Sequence, residues 1–492
     1  MHKTSWQSRR HFGIASALSL AWGLFWLAAI GTAADPPPNI ILCMADDQGW
    51  GDVAYNGNAV LKTPTLDEMA ATGLRFDRFY AAAPVCSPTR GSVLTGRHPN
   101  RFGCFSWGHE LRPEEVTLAE ALKPAGYATG HFGKWHLGPV SAGSPTSPGG
   151  SGFDTWVSAP NFFENSPLLS SNGKVVKTDG EGSQVTVDFA LKFIRAAAEK
   201  KEPFLAVIWF GSPHVPHEAL EEDREPYADQ PPGLQNYLGE ITAMDRAIGH
   251  LRKELRTLGV ADNTLLWYTS DNGAAAPGST GGLAGKKATL LEGGIRVPAI
   301  IEWPARIKSP QRIDVPCGSV DIFPTILELA GLKPQTLPPL DGISLTQLID
   351  GKFSAREKPL GFWVYPEPGR GVNSHNILAA LLREQSGQPA EPKAAPVPGN
   401  KKRDQKSDLE ALSAAELPGP AAWIDGSFKL HRLAGNRGKA RYTLYDLASD
   451  PTEKTDIAAE HAPRVARMTA DLEAWQKSVV HSLNRGDYAA AK

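Results

Sequence analysis

The sequence predicts an α/β protein. A large mixed, mostly parallel sheet flanked by helices is followed by a smaller C-terminal domain of antiparallel sheet plus helix. Three observations lead there. First, apolar runs of strand length at Asn39–Ala45, Pro203–Phe210 and Asn263–Thr269 are nearly unbroken, as in strands buried on both faces. Second, these runs alternate with helical patterns at Thr117–Leu122, Val187–Glu199 and Tyr237–Leu258, an order that produces parallel pairing. Third, the character changes after Pro339. Short strand patterns appear at Leu360–Val364, Ala421–Ile424, Lys429–Arg432 and Thr443–Leu447, and Val465, Met468, Leu472, Trp475 and Val479 recur at helical spacing. That stripe reads as core against a small antiparallel sheet.

At the N-terminus, Lys3, Arg9 and Arg10 precede an apolar run from Ile14 to Gly31, and Thr32-Ala33-Ala34 offers a small-residue cleavage site. Residues 1–34 therefore read as a signal peptide, with Ser8-Arg9-Arg10-His11-Phe12 loosely similar to a twin-arginine signal. An uncleaved anchor is the rival reading, because the run is near the minimum for a span. Cleavage predicts an exported protein, periplasmic or extracellular. The expected organisation is an α/β domain over 35–338 and an α+β domain over 339–492. Residues 385–418, rich in Pro, Ala, Lys and Glu, read as a mobile insertion.

A formal net charge of −2 provides no global field for nucleic acid or an anionic membrane. Neither nucleic acid nor a stable membrane partner is expected. With 492 residues and only 4 cysteines, an exported chain is not a disulfide scaffold. At least one cysteine then has another task, and Cys43, Cys104 and Cys317 allow at most one internal disulfide.

The polar clusters fall just past strand ends, where an open α/β sheet places its ligands. Asp46-Asp47 follows the first strand, His214 the second and Asp271-Asn272 the third, while a short segment near Thr129 runs into Gly133-Lys134-Trp135-His136-Leu137-Gly138. Alone, each acidic pair is more often a helix cap or a turn. Together they are an all-oxygen set suited to Ca²⁺ or Mg²⁺. Lys134, His136, His214 and Lys287 add donors that suit a tetrahedral oxyanion, sulfate or phosphate.

Cys86 precedes Ser87-Pro88-Thr89-Arg90. Pro88 suits the first position of a helix with Ser87 as cap, leaving Cys86 just outside a helix N-terminus and Arg90 about one turn up. Such a thiol reads either as a low-pKa nucleophile or as a buried structural cysteine. A thiolate suits a hard, oxygen-bound cation poorly.

Cys86-Ser87-Pro88-Thr89-Arg90-Gly91, continuing to Leu94-Thr95-Gly96-Arg97, resembles the motif of type I sulfatases of the alkaline phosphatase superfamily. Asp46-Asp47-Gln48-Gly49-Trp50-Gly51-Asp52, Gly133–Gly138, Ser270-Asp271-Asn272-Gly273 and Glu292-Gly293-Gly294-Ile295-Arg296-Val297-Pro298 match in order. The pattern is closest to the arylsulfatase A and N-acetylgalactosamine-6-sulfatase branch. The resemblance implies an alkaline phosphatase-like fold and oxidation of Cys86 to formylglycine by a separate formylglycine-generating enzyme. It also implies one calcium ion held by Asp46, Asp47, Asp271, Asn272 and the modified Cys86. The hydrated aldehyde then supplies the oxygen nucleophile that attacks sulfur, Arg90 orients it, and Lys134 and Lys287 offset sulfate charge. His214 protonates the departing alcohol with Lys287 beside it, and His136 accepts the proton that releases sulfate. Lys287 rather than Lys286 carries the match, and His217 is left as a substrate contact.

The substrate implied is a sulfated carbohydrate or an aryl sulfate. A phosphonate monoester or phosphodiester hydrolase of the same superfamily is the alternative, and a glycan-binding protein with unmodified Cys86 is the non-enzymatic one. Residues 140–182, with Trp156, Asn161, Phe162, Phe163 and Glu164, are expected to line the entrance.

Overall fold

In the computed structural model, the described residues are 36–333, 337–352, 355–388, 416–434 and 440–488. The expected signal peptide lies outside them, as does most of the expected insertion. Gln385, the first residue of that insertion, ends a helix, Ser374–Gln385.

Among the described residues eleven strands form one sheet. They are β1 (Asn39–Ala45), β2 (Leu74–Tyr80), β3 (Ala128–Lys134), β4 (Thr155–Ala159), β5 (Leu168–Ser171), β6 (Lys174–Lys177), β7 (Phe204–Trp209), β8 (Thr264–Ser270), β9 (Arg296–Glu302), β10 (Gln311–Ile313) and β11 (Cys317–Gly318). The order is β10-β2-β9-β8-β1-β7-β3-β4-β5-β6, with β11 also on β2. Pairing among β8, β1, β7, β3 and β4 is parallel, whereas β9 is antiparallel to both β2 and β8, and β4-β5-β6 is an antiparallel edge. The three apolar runs are the central strands β1, β7 and β8. Ile40 and Ile41 are fully buried, as is every residue of β7. Each such aliphatic side chain contributes about 1.5–3 kcal/mol over an exposed one.

The helical patterns become Leu118–Leu122, Gly182–Lys200 and Pro232–Thr257. The last two start before the apolar periodicity does. Glu181 caps the first of them by accepting from the N–H groups of Ser183 and Gln184, and Pro232 opens the second. Thr117 and Glu120 form a capping box on the short helix.

A second sheet, antiparallel, has the order β12 (Leu360–Trp363), β13 (Ala421–Asp425), β14 (Phe428–Ala434) and β15 (Ala440–Asp446). The helix Ala462–Leu483 lays Met468, Leu472 and Val479 against Trp363, Leu430 and Leu444, so the apolar stripe is core. The four cysteines are buried and free. No helix among the described residues is long and apolar enough to cross a membrane.

Candidate active site

The strands β8, β1, β7 and β3 are neighbours, and they run parallel. Their registers bring Ala45 level with Ser270, and Met44 and Gly133 level with Trp209. Asp46-Asp47, Asp271-Asn272, His214 and the Lys134–His136 segment therefore emerge along one edge. Asp47 has a left-handed backbone, φ 70°. That turn points its N–H to Asp271 Oδ1 at 3.1 Å, while Asn272 Nδ2 donates to Asp47 Oδ1 at 2.9 Å.

The cations meet these carboxylates. Lys134 Nζ donates to Asp46 Oδ2 at 2.6 Å, and Arg90 donates to Asp271 Oδ2 through Nη2 at 2.6 Å and Nε at 3.1 Å. Lys287 arrives on the connection between β8 and β9. Its Nζ is 2.6 Å from Asp47 and 3.6 Å from Cys86 Sγ. Lys286 is exposed. Burial alone would raise the Asp46 pKa, but Lys134, His214 and Arg90 together hold it below the usual carboxylate range.

Two readings of Cys86 need correction. The helix runs Cys86–Thr95, so Cys86 is its first residue and Val85, in extended conformation, is the cap residue. Ser87 does not cap it, because its Oγ accepts from the N–H of Gly108 at 2.9 Å. Nor is the thiol poised as a thiolate. Burial pushes its pKa up to about 12 even though Lys134 and Lys287 pull it down.

Asp46, Asp47, Cys86 and His214 offer ligand atoms that all lie within 4.8 Å of one another. Asp271 stands one step back, with its carboxylate engaged by Arg90 and the Asp47 N–H. Asp46 Oδ1 and Asn272 Oδ1 are buried and accept no hydrogen bond. Buried oxygens without partners are unfavourable unless a ligand completes them. Uncommitted carboxylate and amide oxygens suit a hard divalent cation.

The histidines divide by environment. Both ring nitrogens of His136 are buried and unpartnered, and burial, then Lys134 and Arg90, hold its pKa well below the ordinary value. These surroundings favour the neutral ring. His214 reaches the edge of solvent, with its side chain 14% exposed and Nε2 3.7 Å from Asp47 Oδ2. Its Nδ1 lies 2.6 Å from the carbonyl of Val215, and its ring stacks on Phe162 at 4.2 Å. Burial lowers its pKa. His217 turns to Glu240, at 3.4 Å, and to the Tyr237 ring.

Of the residues expected at the entrance, Trp156 is core, Phe162 stacks on His214, and Phe163, though buried, lines a small pocket with Glu164 and His214. Asn161 instead anchors a distant segment, donating from Nδ2 to the Val372 carbonyl and from its backbone to Ser374 Oγ. Nothing in the sequence marked residues 365–374 as neighbours of the site. Their run of Pro and Gly signals a loop without saying where it lies.

The sulfatase family model matches residues 38–332. N-acetylgalactosamine-6-sulfatase of Sus scrofa is 35% identical over 404 residues, which cover 71% of this chain and 73% of that one. Arylsulfatase A of Homo sapiens is 33% identical over 379 residues, covering 70% and 74% respectively. The crystal structure of Ps i-CgsB in complex with k-i-k-neocarrahexaose superimposes with a TM-score of 0.74 at 23% identity, covering 92% of this chain and 98% of that one. The strand-end cluster, the Cys86 helix and these likenesses agree: the chain belongs to the sulfatase family and is a sulfuric ester hydrolase of alkaline phosphatase-like fold.

Proposed function

We propose that this enzyme removes sulfate from a carbohydrate, using a formylglycine made from Cys86 by a separate maturation enzyme and one calcium ion. The observation that carries the reading is the pair of buried oxygens that accept no hydrogen bond, Asp46 Oδ1 in the cluster with Cys86 and Asn272 Oδ1 on the side chain that donates to Asp47. Asp46, Asp47 and Asn272 would hold the ion, with Asp271 behind them. When bound, calcium and formylglycine supply a Lewis acid and an oxygen nucleophile in place of the inert thiol. The sugar is suggested by the N-acetylgalactosamine-6-sulfatase relatives. Export through residues 1–34 and the division near residue 338 belong to the same reading.

The chain's own residues do the rest. Three carboxylates, Asp46, Asp47 and Asp271, face three cations, Lys134, Arg90 and Lys287. A divalent ion added to this balanced set leaves excess positive charge, which binds an anionic ester. Arg90 fixes Asp271 and the first turn of the Cys86 helix. Lys134 and Lys287 shift from carboxylate to sulfate oxygens. His214 Nε2 delivers a proton to the departing oxygen, because a bound anion favours its imidazolium form against burial. His136 accepts the proton whose removal lets sulfate leave.

The test joins chemistry to mass. The tryptic peptide Phe79–Arg90 from protein made in its native host should show oxygen in place of sulfur, with two hydrogens lost, at Cys86. The same preparation should cleave aryl sulfates and sulfated saccharides faster than phosphate diesters or phosphonate monoesters. An unmodified peptide from active enzyme, or a preference for phosphate diesters, would overturn the reading.

A further inference from the structure

The opening of the site lies where Lys287 and His214 keep partial exposure, 22% and 14% of their side chains. Two loops from distant parts of the chain meet beside it. The first, Phe105–His109, is tied to the catalytic helix, because the Gly108 N–H donates to Ser87 Oγ, one residue after Cys86. The second is the connection after β12, residues 365–374. Arg370 N–H donates to the Trp107 carbonyl at 2.8 Å, His109 Nε2 lies 3.0 Å from the Pro368 carbonyl, and the rings of Phe105 and Tyr365 are 4.6 Å apart.

Glycines make this contact sterically possible. A Cβ on Gly108, whose φ is +74°, would lie 2.1 Å from the Arg370 carbonyl oxygen, and one on Gly369 would lie 2.1 Å from the Trp107 indole. The second loop then crosses to the other side of the site. Val372 and Ser374 are held by Asn161, whose neighbour Phe162 stacks on His214. Residues 365–374 thus span from the Cys86 side to the His214 side.

Three exposed side chains flank these loops. Trp107 is 45% exposed, and Val215, next to His214, is 44% exposed. Arg370 is exposed, and its guanidinium forms no ion pair with any described residue. An indole face attracts the C–H face of a sugar ring, and a guanidinium offers paired donors to sulfate or carboxylate.

We propose that Trp107 and Arg370 form a second binding subsite at the rim, the indole carrying a sugar ring and the guanidinium a second anionic group of a multiply charged glycan. The preferred substrate is then a glycan whose sugar next to the one losing sulfate is itself charged. This rests on the carbohydrate-sulfatase reading above.

The experiment measures kcat/KM of the full chain, formylglycine-loaded, on an aryl sulfate and on matched sulfated disaccharides. In these the neighbouring sugar carries a sulfate, a carboxylate or no charge. Wild type should prefer the charged neighbours, and the two charged probes distinguish sulfate from carboxylate as the natural group. Arg370→Ala should erase that preference, about a ten-fold loss on the charged saccharides, and Arg370→Lys should restore part of it. Trp107→Ala should lower kcat/KM on all saccharides about ten-fold more than on the aryl sulfate, with Trp107→Phe intermediate. Losses equal on aryl sulfate and saccharides, or no losses, would overturn the subsite alone. A wild-type enzyme that cleaves aryl sulfate but no saccharide would overturn the carbohydrate reading and the subsite with it.

Discussion

Two buried clusters of charge are joined by one connection, and they differ in whether their hydrogen bonding is complete. The connection between β8 and β9 carries Lys287 into the site and, five residues on, Glu292 into a cluster under the second sheet. There Glu292 accepts from Lys429 at 2.9 Å and from the Tyr80 hydroxyl at 3.0 Å. Glu453 accepts from the Glu292 N–H and from His431, both at 2.6 Å, and is 3.1 Å from Lys429. None of these groups is left without a partner. In the site Asp46 Oδ1, Asn272 Oδ1 and both nitrogens of His136 make no hydrogen bond, and Asp46 Oδ1 has only the Arg90 guanidinium at 3.6 Å. Burial of charge is common to both. Incomplete satisfaction separates a place built for a ligand from one built to hold two sheets together.

The comparison is broken most sharply at Cys86. Cys86→Ala should lower turnover of an aryl sulfate by at least about 10⁴-fold, since the covalent route is gone. Stability should change by less than about 1 kcal/mol, because the thiol makes only contacts of 3.6 and 3.9 Å. A large fall in melting temperature would place the residue among the structural groups instead.

The opposite pattern is expected at Lys429. Lys429→Met leaves Glu292 and Glu453 buried without their cation and should destabilise the fold by about 3–5 kcal/mol in denaturant titrations. The turnover of the folded fraction should be largely kept.

The Glu453 carboxyl gives a pH test. Burial raises its pKa, but Lys429 and His431 outweigh burial and hold it down at about 2. A depressed carboxylate stabilises the fold above its unfolded value of about 4.5, and that stabilisation is lost as pH falls towards about 2. At pH 7 it amounts to about 3 kcal/mol. The stability gap between wild type and Glu453→Gln should therefore be widest near neutrality and shrink below about pH 4.5. A gap independent of pH would show that the ion pair contributes nothing.

Calcium gives the smallest shift. At a free concentration of 100 Kd it should stabilise the protein by about 2.7 kcal/mol. Asp47→Ala should abolish this rise in melting temperature and Lys429→Met should keep it. Equal responses in the two variants would remove the distinction between the clusters.

By itself the sequence determined the strand–helix alternation, the polar residues after each strand and the cysteine that begins the motif. Those signals are local: a buried strand or an amphipathic helix declares its period within about ten residues, and a strand end is marked by the first charged residue. Only the tertiary structure decided the rest. The adjacency of β8, β1, β7 and β3 turns separate pairs into one site, and the hydrogen bond from Asn272 to Asp47 spans 225 positions. The helix starts at Cys86 rather than Pro88, while a residue 21 positions away occupies the Ser87 hydroxyl. Trp156 fell into the core and Trp107 onto the rim because exposure depends on which segment arrives to cover a side chain. Composition and spacing fix which groups are available. Long-range packing alone fixes which of them remain unsatisfied, and the chemistry depends on those.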